Sequence, residues 1–277
     1  MKNIDLHCHS TVSDGELAPA DVVARAHAQG VDVLALTDHD EVGGVAEATR
    51  AAQGLGMTLV PGVEVSVTWA NKTVHIVGLQ VDIDHPGLLA GLAQTRSGRL
   101  GRAAEMGRRL AGQGIDGAYE GALALAGNRN LVSRTHFARF LVDGGYCANI
   151  QEVFERFLGP GQPAFVPMQW SNLEDAVGWI RAAGGQAVIA HPGRYDYTPN
   201  AFHALYETFR DLGGEGIEVV TGSHSPDQYA EYAQVARQYG FLASRGSDFH
   251  APGEGRVDLG GLPPLPAGLT PVWERWL

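Results

Sequence analysis

Histidines and carboxylates recur in this chain at short spacings that suit the binding of divalent cations. His7 and His9 stand two apart, Asp38-His39-Asp40 run consecutively, and Asp248 and His250 again stand two apart. On an extended segment, residues at i and i+2 point to the same side, so each pair can present two ligands to one ion. An HxH pair by itself is only moderately specific, because histidine is also a common surface residue. Asp14, Glu64, His75 and His191 complete a candidate set of His7, His9, Asp14, His39, Glu64, His75, His191, Asp248 and His250. Divalent ions take about three protein ligands each plus water, so this set could serve three of them. Mixed imidazole and carboxylate ligation suits manganese, iron or zinc better than calcium. A carboxylate such as Glu64 can bridge two ions, and ions roughly 3.5–4 Å apart would share a hydroxide as nucleophile. His27, His85 and His203 fall in helical or turn contexts and read as surface residues.

The elements that must carry these groups are strands and helices in alternation. Residues 3–7 read as a strand, 19–29 as a helix closed by Gly30, 31–37 as a strand, 44–53 as a helix and 57–61 as a strand. Residues 63–69 and 73–79 alternate in polarity and read as a hairpin laid onto that sheet, carrying Glu64 and His75. From Pro86 to about Phe157 the pattern becomes almost continuously helical, with Arg96, Arg99, Arg102, Arg108 and Arg109 along it. The rhythm then returns, with helices over 172–183, 202–212 and 227–239 and strands over 186–190, 217–220 and 241–244. Repeated βα units imply a parallel sheet. The architecture expected is an irregular (β/α) barrel spanning 1–98 and 159–277, with residues 99–158 inserted as a helical cap. Active sites of such barrels lie where strands end, and His7, His9, Asp38 to Asp40, His191, Asp248 and His250 all follow strands.

Composition narrows the classes. The chain has 277 residues, 20 Lys plus Arg against 31 Asp plus Glu, and a formal charge of -11, which disfavours a stable complex with DNA or an anionic membrane surface. Two cysteines, Cys8 and Cys147, support neither a disulfide framework nor a thiolate zinc site and fit a reducing, cytoplasmic compartment. The opening residues lack the apolar stretch of a signal peptide and no long apolar run follows, so no membrane segment is expected.

Six motifs in order carry a resemblance: Asp5-Leu-His7-Cys-His9-Ser10 with Ser13-Asp14-Gly15, Thr37-Asp38-His39-Asp40, Gly62-Val-Glu64, His75, Ala190-His191-Pro192 and Gly246-Ser-Asp248-Phe-His250. Together they resemble the polymerase and histidinol phosphatase (PHP) superfamily over nearly the whole chain. That resemblance implies a metal-dependent phosphoesterase on a distorted (β/α)7 barrel with a trinuclear site. It implies one ion on His7, His9, Glu64 and Asp248, a second on Glu64, His75 and His191, and a third on Asp14, His39 and His250. Asp5 and Asp40 are expected behind these ligands, where a carboxylate can orient an imidazole; turn capping is the alternative for Asp40.

The helical insertion and Val132-Ser-Arg134-Thr-His136-Phe-Ala-Arg139 are similar to the members that act on nucleotides. This implies removal of the 3'-phosphate from nucleoside 3',5'-bisphosphates, with trimming of short RNA from the 5' end as the alternative. Arg134, His136, Arg194 and His224 are the candidate donors to phosphate oxygens, and His224 is also the candidate proton donor to the leaving oxygen. Arg139 is expected to point outward, and Tyr195, Tyr197 and Phe137 to pack rather than stack on a base. Histidinol phosphate hydrolysis would use the same metals but does not call for the arginines. A metal-dependent amidohydrolase is the reading from a different class, and a non-catalytic metal-binding role is the weakest. Manganese is the expected ion and a small nucleotide the expected partner.

Overall fold

The computed structural model describes residues 2–277. Seven strands form one sheet in sequence order: β1 (Ile4–Asp5), β2 (Val33–Leu36), β3 (Thr58–Trp69), β4 (Lys72–Leu79), β5 (Gln186–Ile189), β6 (Gly216–Thr221) and β7 (Leu242–Gly246). β1, β2 and the start of β3 pair in parallel, and so do β5, β6 and β7. The sheet closes on itself where Leu6 N–H donates to Arg245 O at 3.0 Å and Cys8 bridges Phe249. The result is a distorted seven-stranded barrel with helices outside, as the alternating pattern implies.

One expectation needs correction. Residues 57–61 and 63–69 are not two strands, and 63–79 is not a hairpin lying on the sheet. A single β3 pairs with β2 through residues 58–61 and then antiparallel with β4 through residues 62–69. β4 in turn pairs antiparallel with β5, so the hairpin is part of the barrel wall. The crossing point is Gly62, where an added Cβ would lie 2.7 Å from Thr37 Cγ2 and 3.1 Å from Gly78 O. Because β4 runs backwards, its beginning lies at the face where the parallel strands end, which is how His75 joins groups from the other strand ends.

The barrel lumen is filled by Leu6, Val33, Ala35, Val60, Val77, Leu79, Val188 and Ala190, all buried. β-branched and aliphatic residues facing one another from successive strands fill such a lumen at crystal-like density. α1 (Pro19–Ala28) and α2 (Val45–Leu55) pack outside β2, while α8 (Leu173–Ala182), α9 (Pro199–Asp211) and α10 (Pro226–Tyr239) cover the far side.

Between β4 and α8 the chain forms α3 (Pro86–Arg96), α4 (Arg99–Ala111), α5 (Ala118–Leu125), α6 (Arg134–Asp143) and the short α7 (Ile150–Val153), which runs into a π-helical turn over Phe154–Leu158. α3 packs on α8. From α4 onward the helices surround a separate apolar cluster built on Met106, Leu110, Phe137, Leu141, Val153 and Leu158. Phe137 is fully buried there, as packing predicts. No helix among the described residues is long and apolar enough to cross a membrane.

Candidate metal centre and phosphate pocket

The nine candidate ligands converge at one end of the barrel. His7 Nε2 lies 3.3 Å from Glu64 Oε2 and 3.4 Å from Asp248 Oδ1, and His9 Nε2 lies 3.3 Å and 3.2 Å from the same oxygens. His75 Nδ1 and His191 Nε2 stand 2.9 Å and 3.0 Å from Glu64 Oε1, and 3.3 Å from each other. His39 Nδ1 is 2.9 Å from Glu64 Oε2, while its Nε2 and His250 Nε2 face Asp14 Oδ1 at 3.8 Å and 3.4 Å. Glu64 is the hub: both of its oxygens are surrounded and none of its side chain is exposed.

Three compact donor groups emerge: His7, His9, Glu64 and Asp248; His9, Asp14, His39 and His250; and His39, Glu64 and His75. The first matches the grouping implied by the resemblance. The second adds His9 to the implied trio, and the third has His39 where the resemblance implies His191, which stands beside Glu64 and His75 but outside the compact group.

The donor chemistry fits cations. Glu218, a buried charge on β6, accepts from His7 Nδ1 at 2.8 Å, and a carboxylate only accepts. In the neutral ring His7 Nε2 therefore presents a lone pair, aimed at two carboxylates and a second imidazole. His250 Nδ1 likewise donates to Asp248 O at 3.0 Å and frees Nε2. Asp14 Oδ1, Glu64 Oε2, His39 Nδ1 and His191 Nδ1 are buried without a hydrogen-bond partner. Lone pairs converging on lone pairs in a buried site are costly unless a cation stands between them.

Protons compete with a cation for these lone pairs: against burial, Glu218, Glu64 and Asp248 raise His7 well above the ordinary imidazole value. Burial alone would raise the carboxyls, but His39, His75 and His7 hold Glu64 well below the usual range, and Arg194 and His7 do so for Asp248. Burial, then Arg194, drives His191 down to about 3, which keeps its imidazole neutral.

Backbone strain is concentrated here. Asp40 (φ 51°), His191 (φ 26°) and Asp248 (φ 57°) all occupy the left-handed region, where non-glycine residues cost about 1–3 kcal/mol each. These turns follow strands and swing the side chains across the barrel mouth. Asp38 shapes the first loop by accepting from Ser10 N–H at 2.8 Å, Ser10 Oγ at 2.7 Å and Ser13 Oγ at 2.6 Å.

A cavity of about 220 Å³ opens over the cluster, walled by Asp14, Glu64, His191 and Asp248 below and by Arg99, Arg102, Arg134 and Trp170 above. Arg99 donates to Asp40 Oδ2 and, at 3.2 Å, to Ser66 Oγ, and its Nε has no partner. Its guanidinium and that of Arg102 lie 4.6 Å and 5.5 Å from the Trp170 ring centroid. Arg134 has no carboxylate partner among the described residues and lies 5.4 Å from the Phe154 ring centroid. Burial, then Arg134 and Arg99, disfavours the charged form of Arg102; burial, then Arg99, does the same for Arg134. Arg102 and Arg134, neither with a carboxylate partner among the described residues, are crowded against Arg99 and call for an anion.

Several expected roles do not match the geometry. Asp5 accepts from the N–H groups of Ser247 at 2.8 Å and Gly260 at 3.2 Å, so it ties β1 to the loops after β7 and touches no imidazole. Asp40 binds Ser66 and Arg99, not a histidine. His224 is committed to backbone: Nδ1 donates to Val219 O at 3.1 Å and Nε2 accepts from Gly193 N–H at 3.0 Å. It has no proton to give and no free donor for phosphate. His136 Nδ1 accepts from Ser133 N–H at 3.0 Å in the capping box of α6, and the residue lies outside the cavity wall. Arg139 does not point outward; it donates to Asp14 O at 2.8 Å and grips both oxygens of Glu254. Tyr195 packs on His191 and bridges Ala190 O and His75 N–H through its hydroxyl.

Arg134 and Arg194 do line the cavity; Arg194 Nη2 forms an ion pair with Asp248 Oδ2 at 2.5 Å. Residues not anticipated are Glu218, Arg99, Arg102, Ser133 and Trp170. Ser133 Oγ donates to Asp14 Oδ2 at 2.9 Å, joining the cap to the cluster. A readable signal existed for Arg99 and Arg102, which stand three apart on one face of α4, and for Glu218, a lone charge in an apolar strand.

Comparison with known proteins agrees with this geometry. Residues 5–158 match the PHP domain. The chain is 52% identical over 275 residues, 99% of its own length and 96% of the relative's, to a 3',5'-nucleoside bisphosphate phosphatase from Chromobacterium violaceum. It is 44% identical to a 5'-3' exoribonuclease from Haemophilus influenzae, with 99% of each chain covered. A solved structure from Chromobacterium violaceum, described as an amidohydrolase with bound sulfate and no metal, superposes with a TM-score of 0.96 at 51% identity, covering 99% of this chain and 95% of that one. A Bifidobacterium adolescentis structure described as a metal-dependent phosphoesterase gives 0.82 at 28% identity, with 97% and 92% covered. The chain belongs to the PHP domain family, and its fold and buried donor cluster are those of a metal-dependent phosphoesterase.

Proposed function

We propose that this protein hydrolyses the 3'-phosphate of nucleoside 3',5'-bisphosphates, with divalent ions, manganese foremost, held by the nine-residue cluster. The observation that carries this reading is the cavity itself: three arginines, Arg99, Arg102 and Arg134, face a buried cation-binding cluster across a space of about 220 Å³. A substrate with two phosphates fits such a site, one on the cluster and one on the arginines. The likeness to a bisphosphate phosphatase across almost the whole of both chains supports the same substrate.

His7, His9, Glu64 and Asp248 would hold one ion, Glu64, His75 and His191 a second, and Asp14, His39 and His250 a third. When bound, such ions supply Lewis acidity toward phosphoryl oxygens and acidify water. The protein's own contribution is positioning. Glu218 fixes the His7 tautomer and holds the His191 N–H at 2.6 Å, so two ligands from different strands share one anchor. Arg99, Arg102 and Arg134 bind the 5'-phosphate, and that remote binding holds the 3'-ester in place over the cluster. Arg194, reaching from the far wall, donates to the oxygens of the scissile phosphate. Residues 99–158 act as the cap that supplies the arginines and shields the site from water. We place the activity in the cytoplasm, where nucleotide substrates of this kind are available and both cysteines stay reduced.

The arginines also favour phosphoester over amide chemistry, since a C–N bond cleavage has no use for three cations opposite the metals. The test is phosphate release by manganese-loaded enzyme from adenosine 3',5'-bisphosphate, histidinol phosphate and adenosine 3'-phosphate. The expected order places the bisphosphate first in kcat/KM, with adenosine 5'-phosphate as product. A preference for histidinol phosphate, or equal rates with and without the 5'-phosphate, would overturn the reading.

A further inference from the structure

Beside the phosphate pocket lies a second cavity of about 240 Å³, bounded by Arg194, Gly222, Ser223, Ser247, Asp248, Glu254, Gly255 and Arg256. The two cavities share only Arg194 and Asp248. Arg99, Arg102 and Arg134 do not line the second one; its walls are Arg194 after β5 and the loops that follow β6 and β7. Of its charged groups, Glu254 is neutralised by a two-point pair with Arg139, at 2.6 Å and 2.8 Å. Asp248 belongs to the metal cluster. Arg256 is exposed and has no ion-pair partner among the described residues. In a chain of net charge -11, this leaves Arg256 as one uncommitted cation in a recess that begins at the reacting centre.

Its polar groups suit a sugar-phosphate chain. Gly222 lies against the β7 loop so tightly that a Cβ there would meet Ser247 O at 2.3 Å, which fixes the loops after β6 and β7 against each other. Ser223 Oγ has only a 3.5 Å contact with Thr221 Oγ1 and is free to bind an oxygen. The Arg194 guanidinium, 45% exposed, uses one nitrogen on Asp248 and keeps further N–H groups for the neighbouring space.

We infer that this second cavity is the subsite for the nucleotide that follows the scissile phosphate in a short RNA, with Arg256 and Ser223 holding its sugar-phosphate backbone. The inference rests on the phosphatase reading above, and it explains how one centre can serve a monoester and a diester. In both, water oxygen bonds to phosphorus, the P–O3' bond breaks and the O3' leaves with a proton. For the monoester the other product is inorganic phosphate. For the diester the new terminal phosphate stays on O5' of the next nucleotide, which occupies the recess. A free bisphosphate leaves the recess empty, so residues there govern chain length without governing the chemistry.

The experiment compares adenosine 3',5'-bisphosphate with the 5'-phosphorylated dinucleotide pApA on manganese-loaded wild type, Arg256→Glu and Ser223→Trp. Arg256→Glu removes a phosphate-directed cation and Ser223→Trp fills the recess, and both sit outside the metal cluster. Each is expected to lower kcat/KM on pApA by about tenfold, mainly through KM, as for loss of one charge-assisted contact. Each should change the bisphosphate less than about twofold. Equal effects on both substrates, or no effect on pApA, would overturn the subsite. Wild type that cleaves the bisphosphate but not pApA would also overturn it while leaving the phosphatase reading intact. Failure on both substrates with metal bound would sink that reading as well.

Discussion

Glu218→Gln is the most informative single change, because it alters one atom behind the metal cluster and none within it. Glu218 Oε1 accepts from His7 Nδ1 at 2.8 Å and Oε2 accepts from His191 N–H at 2.6 Å. The side chain is 1% exposed, so water cannot substitute. Glutamine keeps the shape but offers one acceptor and one donor group. Whichever way the amide turns, its NH2 must face an N–H, either that of the His7 ring or that of the His191 backbone. Facing His7, it forces the ring to the other tautomer and protonates the nitrogen meant for the metal. Facing His191, it leaves a buried donor unpaired in a turn that is already strained. Either outcome costs about 1–3 kcal/mol, equivalent to a loss of about 10- to 100-fold in metal affinity. Manganese content after equilibration at set free-metal concentrations, read alongside activity, measures this directly. At saturating manganese most of the activity should return. Metal binding identical to wild type would refute the idea that Glu218 tunes the ligands through His7.

Other consequences are open to simpler tests. Arg134→Ala should lower kcat/KM on adenosine 3',5'-bisphosphate by about 10- to 100-fold, the worth of a buried charge-assisted contact, and much less on adenosine 3'-phosphate; steady-state kinetics on the pair decides it. Asp248→Asn should abolish turnover while circular dichroism and the thermal midpoint remain close to wild type, and full turnover in the metal-replete variant would contradict the ligand assignment. Gly246→Ala would set a Cβ 2.2 Å from His7 Cβ; displacing that backbone should lower stability by about 1–3 kcal/mol, read as a lower thermal midpoint. Burial holds His136 and His224 down to about 4, whereas in the unfolded chain each titrates near 6.5. The unfolded state therefore takes up more protons between these values, and stability should fall as pH drops from about 6.5 to 4. His224→Gln should show a shallower fall in thermal midpoint over that range.

The geometry also separates two kinds of buried polar residue that look alike in a motif. His7 and His224 are both nearly or fully buried and both follow a sheet strand. His7 has one nitrogen anchored by a carboxylate and the other free, while His224 has both nitrogens consumed by main chain. Only the first arrangement leaves a lone pair for chemistry. The same distinction divides Asp14, whose Oδ1 has no hydrogen-bond partner, from Asp5, which is satisfied by two backbone N–H groups.

Much about this protein was determined by local order along the chain. The alternation of apolar runs with helical periods specified a barrel of βα units, and the polar residues just past each run specified which groups meet at its mouth. That works because side chains at the ends of neighbouring parallel strands are brought together by the sheet itself, whatever lies between them in sequence. The long helical stretch was likewise visible as a change of period near Pro86.

What the tertiary structure decided is everything that depends on direction and partner. The reversal of β4 depends on pairing with both β3 and β5, which no local pattern encodes, and it is the reversal that carries His75 to the cluster. Arg99 and Arg102 become pocket residues only when α4 is laid over Trp170 and the barrel mouth. Asp5, Asp40 and His224 occupy motif positions, yet they have hydrogen-bond partners from segments as distant as Gly260 for Asp5, Arg99 for Asp40 and Gly193 for His224. A side chain's chemistry is set by which of its lone pairs and protons remain unspent, and that balance exists only once the chain has closed around it.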